Sequence, residues 1–240
     1  MARLACETCA VRSKAICSEL TRDELTKINA IAHFRAVPAG EVLFADDEPP
    51  PYFASILSGV VKLTKSLPDG RQQIVGLLFP SQFLGKTITG RASYSAEAAT
   101  NARLCTFNRD QFNGILRAHP SLEKRMFEHT LDELDSAREW MLLLGRKTAA
   151  EKVASLLVLI ARHSRQLGCG DPEHPDRVRF ELPLSRSEIA DYLGLTIETV
   201  SRQLSRFKAK NLISLEGPRV VVVPSLERLA GEAETDEACV

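Results

Sequence analysis

Hydrophobic residues change their spacing along the chain, and the changes predict three successive kinds of structure. Near the start, apolar residues recur at helical spacing behind Thr21 and Glu24, which are placed as a capping box, so we expect a short helix there. From about Arg35 to Phe112, short apolar runs alternate with turn signals, of which Asp69-Gly70 is the clearest. This second stretch predicts a compact antiparallel sheet or barrel.

Helical spacing returns beyond Pro120 and predicts a long helix. One stripe of that helix holds six residues near heptad spacing: Phe127, Leu131, Leu134, Arg138, Met141 and Leu144. The stripe has two interpretations, a helix that pairs with a second copy of the chain and a helix that packs on its own domain. Arg138 occupies a position that favours an apolar residue, and a polar group there would weaken pairing while fixing its register.

Residues 185–210, SRSEIADYLGLTIETVSRQLSRFKAK, carry the most specific local pattern. Ser185 and Glu188 have capping-box spacing at the start of one helix, and Gly194 is suited to end it in the left-handed conformation. Thr196 can then cap a second helix. Two helices joined in this way form a helix-turn-helix, and the following LISLEGPRVVVV predicts a two-stranded wing.

The second of these helices has two distinct faces at about 100° per residue. Ile197, Val200, Leu204 and Phe207 fall on one side, and Glu198, Ser201, Arg202 and Ser205 fall on the other. An ordinary amphipathic surface helix would also be polar outside, but the paired caps and the wing favour a DNA-reading helix. The candidate DNA-binding residues are Glu198, Thr199, Ser201, Arg202 and Arg206.

A recognition helix enters the major groove with its N-terminal residues towards the bases. Arg202 is suited to a bidentate bond to guanine, and Glu198 to accepting a hydrogen bond from a base amino group. Arg206, Lys208 and Lys210 lie further along and are expected to meet phosphate. If the long helix pairs, the protein should read double-stranded DNA as a palindrome with half-sites about one helical turn apart.

Composition and charge add to this organisation. With 240 residues, 44% hydrophobic and 26% charged, the chain suits two modest globular domains. No apolar run is long enough to cross a membrane and Met1 to Lys14 carries charges, so we expect a cytoplasmic protein without a signal peptide. Residues 145–224 hold 13 Lys and Arg against 9 Asp and Glu, whereas residues 225–240 hold one Arg against five acids. A mildly basic domain followed by an acidic, mobile tail is therefore expected.

The chain has six cysteines: Cys6, Cys9, Cys17, Cys105, Cys169 and Cys239. Three of them crowd into CETCAVRSKAIC, residues 6–17. A reducing compartment disfavours structural disulfides, which favours metal or redox chemistry. Four thiolates suit an iron–sulfur cluster or a zinc ion, and Cys6 with Cys9 would suit a dithiol–disulfide switch. Cys169 and Cys239 stand alone and have no expected role.

The order of sheet, long helix and winged helix-turn-helix resembles the CRP/FNR superfamily of bacterial transcription regulators from about Cys6 to Pro224. ETVSR at 198–202, LPLSRSEIADYLGL and PAGEVLF are similar to its FNR branch. The resemblance implies an α+β fold, with an N-terminal antiparallel β-roll of the cyclic-nucleotide-binding type, a dimerisation helix and a C-terminal winged helix-turn-helix. The expected parts are a cysteine segment (1–20), the roll (21–118), the dimerisation helix (119–146), the DNA-binding domain (147–224) and the tail (225–240).

The resemblance also implies partners and roles. Glu198, Ser201 and Arg202 would read a TTGA-type half-site, the chain would form a homodimer, and RNA polymerase would be contacted by the roll and the C-terminal domain. The SLPDGRQQ hairpin, residues 66–73, is a candidate polymerase contact, although a plain solvent turn is the favoured explanation of its sequence. These implications describe a regulator and not an enzyme.

The sensed signal is the remaining implication. Cyclic-nucleotide binders carry an Arg in a phosphate-binding cassette, but the corresponding FLGKTITGRASYSAEAAT has no Arg between Ala92 and Asn101, with Arg91 and Arg103 flanking the gap. FNR-type proteins instead bind an oxygen-labile [4Fe-4S] cluster. The resemblance assigns its ligands to Cys6, Cys9, Cys17 and Cys105. The spacing Cys-x2-Cys-x7-Cys is longer than in the best-known members and resembles another subgroup of the branch.

Two rival functions stay open. One is a superfamily regulator without a cluster, controlled by thiol oxidation or by abundance, and a zinc-stabilised regulator is its variant. The other is a redox enzyme that uses the cysteine segment. The five histidines, at 33, 119, 129, 163 and 174, lie singly and show no ligand spacing, so the sequence offers no catalytic constellation for the enzyme.

Overall fold

The computed structural model describes residues 6–18, 20–85, 90–166 and 176–233. Two compact units divide the chain, Met1–Ser136 and Ala137–Val240. Cys169 and Cys239 lie outside the described residues. Within the described part of the chain, no helix is both long and apolar enough to cross a membrane.

The N-terminal unit begins with two 3-10 turns, Cys6–Thr8 and Arg12–Lys14, followed by helix α1, Arg22–Ile31. The predicted capping box is present at the start of α1. The Glu24 amide donates to the Thr21 hydroxyl, and the Thr21 amide donates to the Glu24 carboxylate at 2.8 Å. These two bonds satisfy amides that the first helical turn leaves unpaired, so the helix starts at a defined residue.

Among the described residues, eight antiparallel strands form the roll. They are β1 Ala32–Val37, β2 Val42–Phe44, β3 Tyr52–Ser58, β4 Val61–Ser66, β5 Gln72–Leu78, β6 Phe83–Leu84, β7 Ser95–Ala98 and β8 Ala102–Asn108. One sheet has the order β1-β8-β3-β6 and the other β2-β7-β4-β5. Asp69-Gly70 turns β4 into β5, with Gly70 at φ 88°, which confirms the predicted hairpin.

Apolar side chains from both sheets fill the interior of the roll. This inner core contains Val37, Leu43, Phe44, Ala54, Ile56, Val61, Leu78, Leu84, Ala92, Ala96, Ala98, Ala102 and Leu104. Of the two arginines that flank the cassette-like stretch, Arg91 pairs with Asp47 at 3.0 Å and Arg103 is exposed. Neither arginine belongs to this inner core, which apolar side chains from facing strands form.

A second core covers the outer face of the β1-β8-β3-β6 sheet. It joins the cysteine segment, α1, helix α2 (Arg109–Ala118) and the first turns of helix α3 (Pro120–Arg146) to that sheet. Its buried members are Ile16, Leu20, Leu25, Ile28, Ala32, Phe53, Phe83, Cys105, Phe107, Phe112, Leu116 and Leu122. The cysteine segment is thus packed against the roll as part of its fold.

The C-terminal unit holds the last residues of α3 and the predicted helix-turn-helix. Its elements are α4 Ala149–Gln166, β9 Val178–Glu181, α5 Arg186–Leu193, α6 Ile197–Ala209, β10 Ser214–Glu216, β11 Val220–Val223 and α7 Leu226–Glu232. The wing strands β10 and β11 are present, and β9 joins them in a three-stranded sheet of order β10-β11-β9. The sequence pattern did not predict β9.

The prediction of a mobile tail from residue 225 is wrong for its first part. Helix α7 packs on α4 and buries Leu226, Leu229 and Ala230. Lys147 Nζ donates to the Ala233 carbonyl at 2.7 Å at the end of this helix. Leu226 and Leu229, three residues apart, give this acidic segment an apolar side. Packing of that side orders the segment despite its negative charge. Residues 234–240 lie outside the described residues.

Candidate DNA-binding surface and cysteine site

The turn between α5 and α6 follows from three residues that the sequence singled out. Ser185 and Glu188 form a capping box at the start of α5, and Gly194 ends the helix at φ 62° and ψ 44°, a conformation that glycine adopts readily. The Thr196 hydroxyl accepts from the Thr199 amide at 3.3 Å and starts α6. The predicted helix-turn-helix is confirmed, with local caps fixing both sides of the turn.

Helix α6 has one buried side and one exposed side, as predicted, with one correction. Val200, Leu204 and Phe207 are buried, but Ile197, predicted to be core, is 45% exposed. Gln203 is buried instead, which the apolar pattern did not indicate. Ile197 is the first residue of the helix. Its position around the helix axis matches the buried side, but that position does not show whether neighbouring elements extend far enough along the axis to cover it.

The predicted reading face is open to solvent. Glu198, Ser201, Arg202 and Arg206 are exposed, and Thr199 is half-buried. An Arg202 guanidinium nitrogen lies 3.4 Å from the Thr199 hydroxyl, which orients the side chain along the first turn. Backbone hydrogen bonding at the helix start, followed by the Thr196 hydroxyl, lowers the pKa of Glu198. The face therefore offers a carboxylate acceptor beside a guanidinium donor.

A tryptophan that the sequence pattern did not single out supports α5 within the C-terminal unit. Trp140, near the end of α3, stacks on Tyr192 with ring centroids 4.0 Å apart. Tyr192 is buried, and burial raises the pKa of its hydroxyl. Aromatic stacking of this kind adds to the burial of the rings, so the pair holds the helix that precedes the recognition helix.

The predicted dimerisation stripe is largely uncovered in a single chain. Phe127 and Met141 are each 63% exposed, and Leu131 and Leu134 are 44% and 45% exposed. Arg138 is exposed and Leu144 is half-buried. Exposed apolar side chains that recur along one helix form a contiguous patch, which typically marks an interaction site.

The four cysteines assigned as ligands gather on the outer face of the roll. Cys105 is buried in the middle of β8, and Cys6, Cys9 and Cys17 are half-buried in the segment that covers it. Cys6 and Cys17 pack on the same outer core as Cys105. All four are free thiols. A strand thus supplies one thiol, and the N-terminal turns supply the other three.

The mutual effects of the thiols on their pKa values indicate that they lie near one another. Burial raises the pKa of Cys17 to about 12, and the charges of Cys6 and Cys9 add to the rise. Burial also raises the pKa of Cys105, with further contributions from the other three cysteines in the order Cys17, Cys6, Cys9. These mutual effects arise only between groups that lie close together.

Arg12 opposes the rise in thiol pKa. Burial and then Cys9 raise the pKa of Cys6, whereas the positive charge of Arg12 lowers the pKa of both Cys6 and Cys17. A positive charge close to a thiol stabilises its thiolate form. Arg12 therefore favours the thiolate form that a metal or an iron–sulfur cluster needs.

The residues fit a four-thiolate group in type and number. Cysteine thiolates are the usual ligands of iron–sulfur clusters and of structural zinc. Among the described residues, no group of three or more His, Cys, Asp or Glu side chains has the closeness needed to hold a metal ion. The four cysteines therefore lie in the same region of this structure, but their sulfur atoms do not surround a common point.

The β4–β5 hairpin is a solvent turn in the isolated chain. Arg71 pairs with Asp69 at 2.8 Å, both side chains being exposed, and Leu67 is 50% exposed. The structure thus places the predicted polymerase contact on the surface of the roll.

A β-roll with a long helix and a winged helix-turn-helix defines a DNA-binding transcription regulator. Two sequence families match: residues 34–119 match the cyclic nucleotide-binding domain and residues 151–231 the Crp-like helix-turn-helix domain. The chain belongs to the CRP/FNR superfamily of transcription regulators, as its similarity to whole members shows.

Three relatives illustrate that similarity. The transcriptional activator protein FnrL of Cereibacter sphaeroides is 44% identical over 231 residues, which cover 96% of this chain and 92% of the relative. The nitrogen fixation regulation protein FixK of Bradyrhizobium diazoefficiens is 38% identical over 210 residues, 88% of this chain and 86% of the relative. The solved structure of FixK2 from Bradyrhizobium japonicum is 30% identical, with a TM-score of 0.75, and the match covers 87% of this chain and 99% of that one.

Proposed function

We propose that this protein is a homodimeric, oxygen-responsive transcription activator that binds a [4Fe-4S] cluster through Cys6, Cys9, Cys17 and Cys105. The observation that carries the proposal is the gathering of these four thiols on the outer face of the roll. When bound, such a cluster supplies an oxygen-sensitive tie between the four thiolates. The residues packed around the thiols would transmit the gain or loss of this link to the position of the long helix α3.

The cysteine segment contacts the helix that would pair. Leu122 lies in the same core as Ile16 and Cys105, and Met126 packs against that core. Burial and then the positive charge of Arg125 lower the pKa of His129 on α3, and the backbone of Lys14 in the cysteine segment is among the groups that oppose this shift. Tying Cys6, Cys9 and Cys17 to Cys105 would therefore hold the first half of α3 in place, just where its exposed stripe begins.

Release of that tie would act on a marginal dimer. The exposed stripe provides apolar area for pairing, and Arg138 places a charge within it. A switch of a few kcal/mol shifts only an equilibrium that is already near balance. We propose that the tied form is the dimer that binds a TTGA-type palindrome, and that oxygen favours monomers, which bind a half-site weakly.

The exposed face of α6 supports the proposed DNA contacts. Arg202 would grip guanine, Glu198 and Ser201 would contact neighbouring base edges, and Arg206 would meet phosphate. Once on DNA, an activator works with RNA polymerase, and we propose the β4–β5 hairpin with Leu67 and Asp69 as one contact. The names of the relatives, FnrL among them, support activation.

Anaerobic purification tests the cofactor directly. Visible absorption with iron and sulfide analysis should show about four of each per chain. Cys105→Ala should abolish them, whereas Cys169→Ala, which changes a cysteine with no expected role, should leave them unchanged. A colourless protein with stoichiometric zinc would instead identify the zinc-stabilised regulator.

The raised thiol pKa values weigh against the dithiol–disulfide rival. Thiolates are the attacking species in thiol oxidation, and burial raises the pKa of Cys6, one of the two cysteines of that switch, which reduces its thiolate fraction. A cluster-free regulator would retain its DNA affinity in Cys9→Ala and Cys17→Ala variants. The family matches lie in both units of the chain and the similar relative FnrL is a transcriptional activator, which favours a regulator over the redox enzyme.

A further inference from the structure

Ser55 stands directly opposite Cys105 in the outer sheet of the roll. Strands β3 and β8 are antiparallel, and their register pairs these two residues. Side chains of directly opposed residues lie on the same face of a sheet, with Cβ atoms about 5 Å apart. Phe53, two positions before Ser55, is a buried member of the outer core with Cys105, and the partly buried Leu57 packs against that core. Ser55 therefore faces the same side as the cysteine site.

The Ser55 hydroxyl is an anomaly in that core. The residue is 4% exposed, and its Oγ has no hydrogen-bond partner among the described residues. Its surroundings on this face are aromatic and aliphatic side chains. Leaving a buried hydroxyl unpaired costs about 1–3 kcal/mol, so such groups are rare and call for a partner that the folded chain alone does not supply.

A thiolate at Cys105 would supply that partner. A protonated thiol is a weak hydrogen-bond acceptor. As a ligand, the same sulfur carries negative charge, and hydrogen bonds to ligand sulfur are a principal means by which proteins tune iron–sulfur clusters. Ser55 has the donor, the burial and the register for this bond.

We propose that Ser55 is a positioning residue that donates its hydroxyl hydrogen to the Cys105 sulfur when Cys105 is a ligand. The inference rests on the proposed function, since it needs Cys105 to be a ligand. Ser18 has the same character at the other end of the site. Its Oγ, beside Cys17, is also buried without a partner among the described residues. Orphan hydroxyls thus accompany one ligand from the strand and one from the N-terminal segment.

The proposal predicts opposite effects of one substitution in the two states of the protein. Ser55→Ala removes an unpaired polar group from the apo protein, so its urea midpoint should equal or exceed that of wild type. In the anaerobically reconstituted protein the same substitution removes a hydrogen bond to a ligand. Loss of visible absorption in air should then be about tenfold faster, the lower end of typical effects for outer-shell partners of a metal site.

Two further variants isolate the hydroxyl. Ser58→Ala makes the same change at an exposed position of the same strand, and it should match wild type in both assays. Ser55→Thr keeps the hydroxyl on a β-branched residue that suits a strand, and it should bleach at the wild-type rate. If Ser55→Thr bleaches as fast as Ser55→Ala, the hydroxyl is not responsible and the proposal is overturned.

The remaining outcomes separate this inference from the proposed function. A wild-type protein that assembles no cluster would overturn both. A wild-type protein that assembles its cluster while Ser55→Ala bleaches at the same rate would overturn the inference alone. A lowered urea midpoint for apo Ser55→Ala would do the same, because it would show that the hydroxyl already has a structural partner.

Discussion

Replacing Leu131 by Ala should weaken the proposed dimer by a calculable amount. The substitution removes three carbons, and the residue is 44% exposed in a single chain. At about 0.8 kcal/mol per buried carbon, covering that fraction in a dimer is worth roughly 1 kcal/mol per chain. A two-fold dimer contains the contact twice, so the loss is about 2 kcal/mol, or roughly 30-fold in the dimer dissociation constant.

Sedimentation equilibrium of the reconstituted protein under anaerobic conditions measures that constant. Leu67→Ala is the matched control, because Leu67 is 50% exposed on the β4–β5 hairpin and lies off the stripe. It should leave the dimer constant unchanged. If Leu131→Ala and Leu67→Ala give the same constant as wild type, α3 packs on something other than a second copy, and the assignment of the stripe is refuted.

Two other predictions concern DNA reading and acid stability. Arg202→Ala should lose about 1–3 kcal/mol of binding free energy on the palindrome and little on random DNA, as measured by fluorescence-anisotropy titration. Lys208→Ala should weaken binding to both DNAs alike. Equal losses for Arg202→Ala on both DNAs would show that the reading face is misassigned. The hydrogen bonds from Thr21 lower the pKa of Glu24 below its ordinary 4.5, so their stabilisation is present above pH 4.5 and is lost as pH falls below it. The unfolding free energy of wild type should therefore fall more steeply with acid than that of Glu24→Gln, and parallel curves would contradict this.

Local signals explain why the DNA-binding half was predictable. Caps at Ser185, Gly194 and Thr196 act within a few residues of the chain, and each is formed as the sequence indicated. Positions that depend on distant neighbours were harder. Ile197 lies at the angle of a core residue around the helix axis but is exposed. Helix α7 was not predicted because its segment is acidic, although its leucines repeat at helical spacing.

The cysteine site was predictable only in part, because some of its features are local in sequence and others depend on distant neighbours. A motif of three cysteines is visible in residues 6–17, and Cys105 was assigned by resemblance. The burial that raises the thiol pKa values comes from α1, α2 and β8 together, and no local pattern reports it. Ser55 is 50 residues from Cys105 in sequence and meets it only through strand register, so sequence alone gave no reason to connect them.

The central claim is that oxygen controls DNA binding through the four cysteines. Its most direct test is the affinity of one anaerobically reconstituted sample for a TTGA-type palindrome before air exposure, after it, and after anaerobic rebuilding of the cluster. We predict that the dissociation constant rises in air, in step with the loss of visible absorption, and recovers on rebuilding. Equal dissociation constants before and after exposure, while the absorption disappears, would contradict the account.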